Sequence, residues 1–387
     1  MRLTPLHRNL IAIMVTMAAA TLTYSLSTPL LSLILDRQGV SSTLIGLSTA
    51  SQAVAIFAIA PFAPALLRRL GPARMMFAAI AVQLLFFLLL PVFPDVYAWF
   101  PLRFMIGAGA SVMWVASEAW VNTVVEDRIR GRVLALYSAA VTGGYALGPL
   151  VLLATGSEGW APFLAGAAIF LCAGLATLFG AGVAPRIEGK PSAPLLAYLT
   201  LAPLAMLSCA VVAASDGVLA AFLPLYGLAQ GLSQEQGLLL LTLVGLGGVV
   251  LEYPFGWLAD RMNRRLLSLL LSLGLLAGCL AFPFVVPIPG ANWVFIFVFG
   301  GCLGALYTLG NVLMGERFQG GDLAAASTLF ATMWNVGALI GPPLGGVGRD
   351  LSPDLGLPGA LTLIFAVFLA VPLVTYLRSR RRAPSNP

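Results

Sequence analysis

Apolar residues in this chain fall in long unbroken runs, and polar residues gather in short clusters between them. A hydrocarbon layer about 30 Å thick takes about 20 mostly apolar residues per helical crossing. The runs predict twelve crossings, at 10–35, 43–67, 73–93, 98–123, 131–154, 161–183, 200–226, 236–258, 266–287, 292–314, 323–347 and 358–377. The first run follows a basic start but is too long for the apolar stretch of a signal peptide and has no small-residue cleavage pattern, so it reads as a retained span.

The pattern repeats at an offset of 193 residues: Pro61 with Pro254, Arg68 with Arg261, Gly107 with Gly300, Gly144 with Gly337, Gly148 with Gly341 and Pro149 with Pro342. The last three pairs form one motif, G-x-x-x-G-P, in spans five and eleven. Internal duplication of this kind decides architecture before any single motif does. It predicts an all-α membrane protein of two six-helix bundles, residues 1–183 and 200–387, joined by a polar cytoplasmic linker at 184–199. Halves with an equal, even number of helices keep the same orientation, so a pseudo-two-fold axis along the membrane normal is expected.

Composition narrows the class. Of 387 residues, 59% are apolar and 9% charged, against roughly 25% charged in a soluble chain. A net charge of +6 would suggest nucleic acid in a soluble protein, but its placement reads as topology. With both termini in the cytoplasm, all but three (Arg37, Arg103 and Arg349) of the 21 Lys and Arg lie on the inner side, which is the asymmetry the positive-inside rule demands. A multi-pass protein of a bacterial inner membrane follows, with no nucleic-acid partner. Cys172, Cys209, Cys279 and Cys302 sit in apolar spans without paired spacing, so they read as small core residues and neither a disulfide framework nor a metal site is expected.

Three motifs carry a resemblance. Gly256-Trp257-Leu258-Ala259-Asp260-Arg261-Met262-Asn263-Arg264-Arg265, after span eight, resembles the short cytoplasmic signature of the major facilitator superfamily. The loop after span two keeps Arg68, Arg69, Gly71 and Arg74 but lacks the acidic residue. Arg103 to Gly109 is similar to that family's R-x-x-x-G-x-G pattern, and the glycine-proline motif resembles one associated with antiporters, at Gly144, Gly148 and Pro149 and again at Gly337, Gly341 and Pro342. The run from Arg103 to Trp120 also looks like the YcaD-type bacterial branch. The resemblance covers essentially the whole chain. It implies a carrier working by alternating access, with span-four and span-ten helices lining a central cavity and the Asp260 region acting as a cytoplasmic latch. From the residues alone, Asp260 is equally readable as an interfacial ion pair, with Arg130 or Arg132 as partner, and the glycines as helix-packing positions.

Most of the fifteen acidic residues lie in loops, but Glu118, Asp216, Glu252 and Glu316 do not. Glu316 sits at an inner helix end beside Arg317, where water solvates it. A charge near the bilayer centre costs about 2.5 kcal/mol or more on insertion scales, so the other three need a partner, water or a proton. Helical spacing puts Gly107, Ser111, Trp114 and Glu118 on one stripe of span four, and the repeat supplies Gly300, Gly304, Tyr307 and Asn311 on span ten. A cavity-lining stripe and a packing stripe with a protonated acid both fit that spacing. Glu118 and Asp216 are the candidate proton carriers. Arg103 is a candidate for coupling, with outward snorkelling as its alternative, and Glu252, before Tyr253 and Pro254, fits a gate near the cytoplasmic mouth.

Candidate cavity residues are Tyr24, Ser111, Trp114, Asn122, Tyr307, Asn311, Trp334 and Asn335, and candidate gate residues are Asp260, Arg261, Arg264, Glu252, Arg68 and Arg69. Their aromatic surface and few polar anchors favour an amphipathic organic solute over a sugar. No cofactor is expected. The single histidine, His7, precedes the first span, and no nucleophile-and-base set or metal spacing appears, so an enzyme is not expected. The expectation is a monomeric secondary transporter exporting a small solute in exchange for protons, with uptake by symport and a non-transporting receptor or scaffold as the alternatives.

Overall fold

The computed structural model describes residues 5–59, 62–125, 130–181, 197–318 and 320–382. The chain divides into two compact units, Met1–Lys190 and Pro191–Pro387. The first holds α1 (Pro5–Arg37), α2 (Ser42–Ile59), α3 (Ala63–Leu70), α4 (Pro72–Leu89), α5 (Val96–Val124), α6 (Arg130–Thr155) and α7 (Ala161–Ala181). The second holds α8 (Ala197–Leu201), α9 (Pro203–Ala229), α10 (Gln234–Arg261), α11 (Arg264–Val285), α12 (Ala291–Arg317), α13 (Gly320–Leu351) and α14 (Gly356–Arg382).

Eleven of these helices are long and apolar enough to cross a membrane among the described residues. The remaining long helix, α13, has 32 residues and occupies the place of the eleventh expected span. The expected span at 43–67 is instead divided between α2 and α3. Pro64 falls in the first turn of α3, where a missing N–H is tolerated because helix-start N–H groups have no intrahelical acceptor.

Packing within each unit repeats. In the first, α1 lies on α6 and α7, α2 on α5, and α4 on α5 and α7; in the second, α9 lies on α13 and α14, α10 on α12, and α11 on α12 and α14. Glycines set the closest approaches. A Cβ at Gly107 would fall on the backbone of Gln52, and one at Gly300 on the backbone of Val244. Gly144 abuts the Ala18 carbonyl and Gly337 that of Ala210, while Gly148 and Gly341 meet the backbone of Leu22 to Leu26 and of Ala214. Without a hydrophobic drive between helices in lipid, small residues that let backbones touch are the main route to tight association. The glycine-proline motif therefore holds α6 on α1 and α13 on α9. Both helices stay helical through Pro149 and Pro342.

Buried polar groups add ties inside the first unit. Trp120, fully buried, donates its indole N–H to Asn9 Oδ1 at 3.0 Å, and Thr16 and Thr177 share a hydroxyl hydrogen bond of 2.9 Å. The cysteines divide differently from the expectation of a common core role: Cys209 and Cys279 are buried, Cys302 is partly covered and Cys172 is exposed. Nothing in lipid penalises a small apolar thiol on the outer face of a span, so apolar sequence context alone does not place it inside.

Candidate functional site

On α5 the expected stripe changes character along its length. Gly107 and Ser111 are buried, the former against α2, whereas Trp114 and Glu118 are exposed. The Trp114 indole donates to Glu118 Oε1 at 2.9 Å, an i,i+4 pair on one helix face. Glu118 is exposed at the surface of its unit, and the hydrogen bond it accepts comes from its own helix. It lies six residues from the C-terminal end of α5, about 9 Å along the axis. Asn122 is one turn further on, and its side chain lies outside the described residues.

Arg103 sits on the same helix near the other end, seven residues or about 10 Å in from Val96. It is fully buried, which rules out snorkelling to the surface. Its Nη1 donates to Ser48 Oγ on α2 at 3.2 Å, while Nε and Nη2 have no hydrogen-bond acceptor among the described residues. Tyr24, half-buried on α1, stacks obliquely with Tyr145 of α6, ring centroids 6.2 Å apart.

In the second unit, Tyr307 of α12 packs edge-on to Trp334 of α13 at 5.5 Å and against Phe330 at 5.3 Å, making an aromatic wall beside the buried Cys209. Asn311 and Asn335 turn their amides back to their own helices, to the carbonyls of Tyr307 and Ala331. Asp216 is half-buried on α9, and the next residue, Gly217, meets the Pro342 ring of α13. Glu252 has a specific neighbour: Thr308 of α12 donates its hydroxyl to Glu252 Oε1 at 3.0 Å. Sequence reading missed that pair because Thr308 lies 56 residues away.

The cytoplasmic signature folds as a two-residue turn between α10 and α11. Asn263 caps α11, its Oδ1 accepting from the N–H groups of Arg265 and Leu266 at 3.0 and 3.3 Å. The turn places Arg264 as a hub. Its guanidinium donates to the Ala259 carbonyl at 3.1 Å, pairs with Asp260 at 3.2 Å and pairs with Glu316 at the inner end of α12. Asp260 therefore pairs with Arg264; the side chains of Arg130 and Arg132 lie outside the described residues. Arg261 lies over the Trp257 ring at 3.8 Å, and Arg68 and Arg69 are exposed in the last turn of α3. The link from Arg264 to Glu316 was not legible in the sequence, since neither span gives a rotational register. Among the described residues, no group of three or more His, Cys, Asp or Glu is placed to hold a metal ion.

Two repeated units of membrane-length helices, with ionisable residues inside some of those helices and a basic turn between α10 and α11, define a polytopic membrane protein. The Major Facilitator Superfamily model matches residues 13–342 and 205–387, and the chain belongs to that family. The uncharacterized MFS-type transporter YfkF of Bacillus subtilis (strain 168) is 27% identical over 334 residues, covering 82% of this chain and 83% of that protein. The uncharacterized MFS-type transporter YcaD of Escherichia fergusonii is 26% identical over 325 residues, covering 83% and 82%. Among solved structures, a bacterial homologue of the human lysosomal transporter Spinster, inward-facing and unoccupied, matches with a TM-score of 0.76 at 14% identity over 98% of each chain. The nucleoside transporter NupG matches with a TM-score of 0.73 at 12% identity, over 96% of this chain and 98% of that one. The chain is accordingly a transporter and not an enzyme.

Proposed function

We propose that this transporter exports a small, amphipathic organic solute in exchange for protons, by alternating exposure of one site to the two faces of a bacterial inner membrane. Glu118 is the principal proton carrier and Asp216 the second. The observation that carries this reading is the state of Glu118: a carboxyl group within a membrane-length helix, exposed at the surface of its unit and accepting a hydrogen bond from an indole on its own helix. A carboxylate facing acyl chains is expensive, so an exposed Glu118 implies water or solute before it, and a group that must shed its charge whenever that water leaves is suited to moving a proton.

The equivalent position in the second unit is the neutral Asn311, so the fold does not require an acid there. Tyr24 and Tyr145 in one unit, and Tyr307, Trp334 and Phe330 in the other, offer ring faces and edges for an apolar body. The Asp260–Arg264–Glu316 set, with Arg261 and Glu252, serves the cytoplasmic gate. Export rather than uptake rests on the antiporter-like glycine-proline motif. The protein works as a monomer with both termini in the cytoplasm.

The test is a solute panel offered to proteoliposomes carrying an internal pH dye and an imposed pH gradient. An apolar cation, anion or neutral aromatic that collapses the gradient only when protein is present supports exchange. Proton movement in the direction of the solute shows symport, and the absence of solute-linked proton movement across the panel favours the receptor or scaffold alternative.

A further inference from the structure

The Arg103 guanidinium is incomplete as it stands. It is fully buried, yet among the described residues its one hydrogen bond goes to Ser48 Oγ, and Nε and Nη2 find no acceptor there. No salt bridge reaches it among the described residues. Buried donors without acceptors are rare in folded proteins, and an uncompensated buried charge is more costly still. The two open nitrogens are not an arbitrary pair. Nε–H and the Nη2 N–H beside it form one straight edge of the planar guanidinium, the edge that matches the two oxygens of a carboxylate.

The internal repeat shows that packing does not call for this charge. Arg103 corresponds to Ile296, which is fully buried on α12, and with Gln52 and Val244 as the equivalent contacts of Gly107 and Gly300, Ser48 corresponds to Leu240, fully buried on α10. The α10–α12 contact is therefore built with aliphatic side chains where α2–α5 has a cation and a hydroxyl. Both pairs close on the same glycine, Gly107 in one and Gly300 in the other. An arginine kept where isoleucine satisfies the fold answers to something outside it.

We propose that the Nε–Nη2 edge of Arg103 receives a carboxylate borne by the transported solute, which makes the solute class an apolar or aromatic organic acid. This rests on the carrier reading above and adds its specificity. The anion completes the guanidinium when the site opens, and Ser48 holds the fork in place through Nη1. A free carboxylate from the medium offers the same two oxygens, so the probes separate the sources: benzoate carries an apolar body, acetate does not, and benzamide keeps the body without the charge.

Purified full-length protein in detergent is unfolded thermally with each probe, as the native chain and as Arg103→Ile, Arg103→Lys and Gly143→Ala. Saturating benzoate is expected to raise the native midpoint by roughly 5 °C and to leave Arg103→Ile unmoved. That variant folds because its repeat partner is already isoleucine. Arg103→Lys retains a charge but no fork and loses most of the shift, whereas Gly143→Ala, whose added Cβ meets nothing within 4 Å, keeps it. Benzamide is expected to do nothing. Equal shifts with acetate and benzoate overturn the assignment to a solute, and equal shifts in the native and Arg103→Ile proteins, or none in either, overturn the site. Intact proton-coupled transport with no Arg103-dependent shift sinks this inference alone; an Arg103-dependent shift without solute-linked proton movement sinks the carrier reading instead.

Discussion

Three of the four acids placed within or at the ends of spans are answered in different ways by their neighbours. Glu316 has a guanidinium, Arg264, beside the α10–α11 turn; Glu252 has the Thr308 hydroxyl; Glu118 has an indole N–H on its own helix. A hydroxyl donor from a packed neighbouring helix fixes Glu252 as part of the α10–α12 contact, and an amide at that position accepts the same bond. Glu252→Gln is therefore expected to keep pH-gradient-driven transport within about twofold of the native rate, and a loss as complete as that expected for Glu118→Gln would make Glu252 a carrier too. The Trp114–Glu118 contact was legible because residues four apart on a helix must meet. Ser48 as the partner of Arg103, 55 positions away, was not. Which residues of two apolar helices face each other is hidden when lipid is as apolar as the protein interior.

At the scale of the helix, glycine carries the register that hydropathy does not. The repeated G-x-x-x-G-P motif marked positions of close helix contact, with packing and transport roles equally open, and the structure supplies the partners, α1 for α6 and α9 for α13. Adjacent glycines on α6 give an internal control. A Cβ at Gly144 collides with the Ala18 carbonyl and approaches Thr21, whereas one at Gly143 meets nothing within 4 Å. Gly144→Ala is expected to destabilise the first unit by about 1–3 kcal/mol through overpacking, and Gly143→Ala to be neutral or to stabilise by up to about 1 kcal/mol. Thermal or denaturant unfolding in micelles separates them, and equal effects would mean that α6 does not close on α1 through Gly144. The break between α2 and α3 was less legible, because the apolar run continues across it.

For the whole molecule, the duplication is the most informative feature. The main contacts of α1, α2, α4, α5, α6 and α7 recur in α9 to α14, as the repeat leads one to expect, and α3 alone has no counterpart among those six helices. The duplication also separates what the fold requires from what function adds. Where the repeats agree, as at Gly107 and Gly300, the residue serves packing. Where they diverge at a buried or ionisable position, Arg103 against Ile296 and Glu118 against Asn311, the chemistry belongs to one half alone. The family and the transporter class follow from the chain as a whole, while the solute and the direction belong to those few divergent positions.

The most direct test of that asymmetry compares the native protein with Glu118→Gln in proteoliposomes, measuring both pH-gradient-driven solute accumulation and solute–solute exchange at equal pH. The substitution keeps the Trp114 hydrogen bond and removes the titrating proton, so gradient-driven accumulation is expected to fall to background while exchange persists. Accumulation undiminished in Glu118→Gln would contradict the account, because the proton would then be travelling by another route.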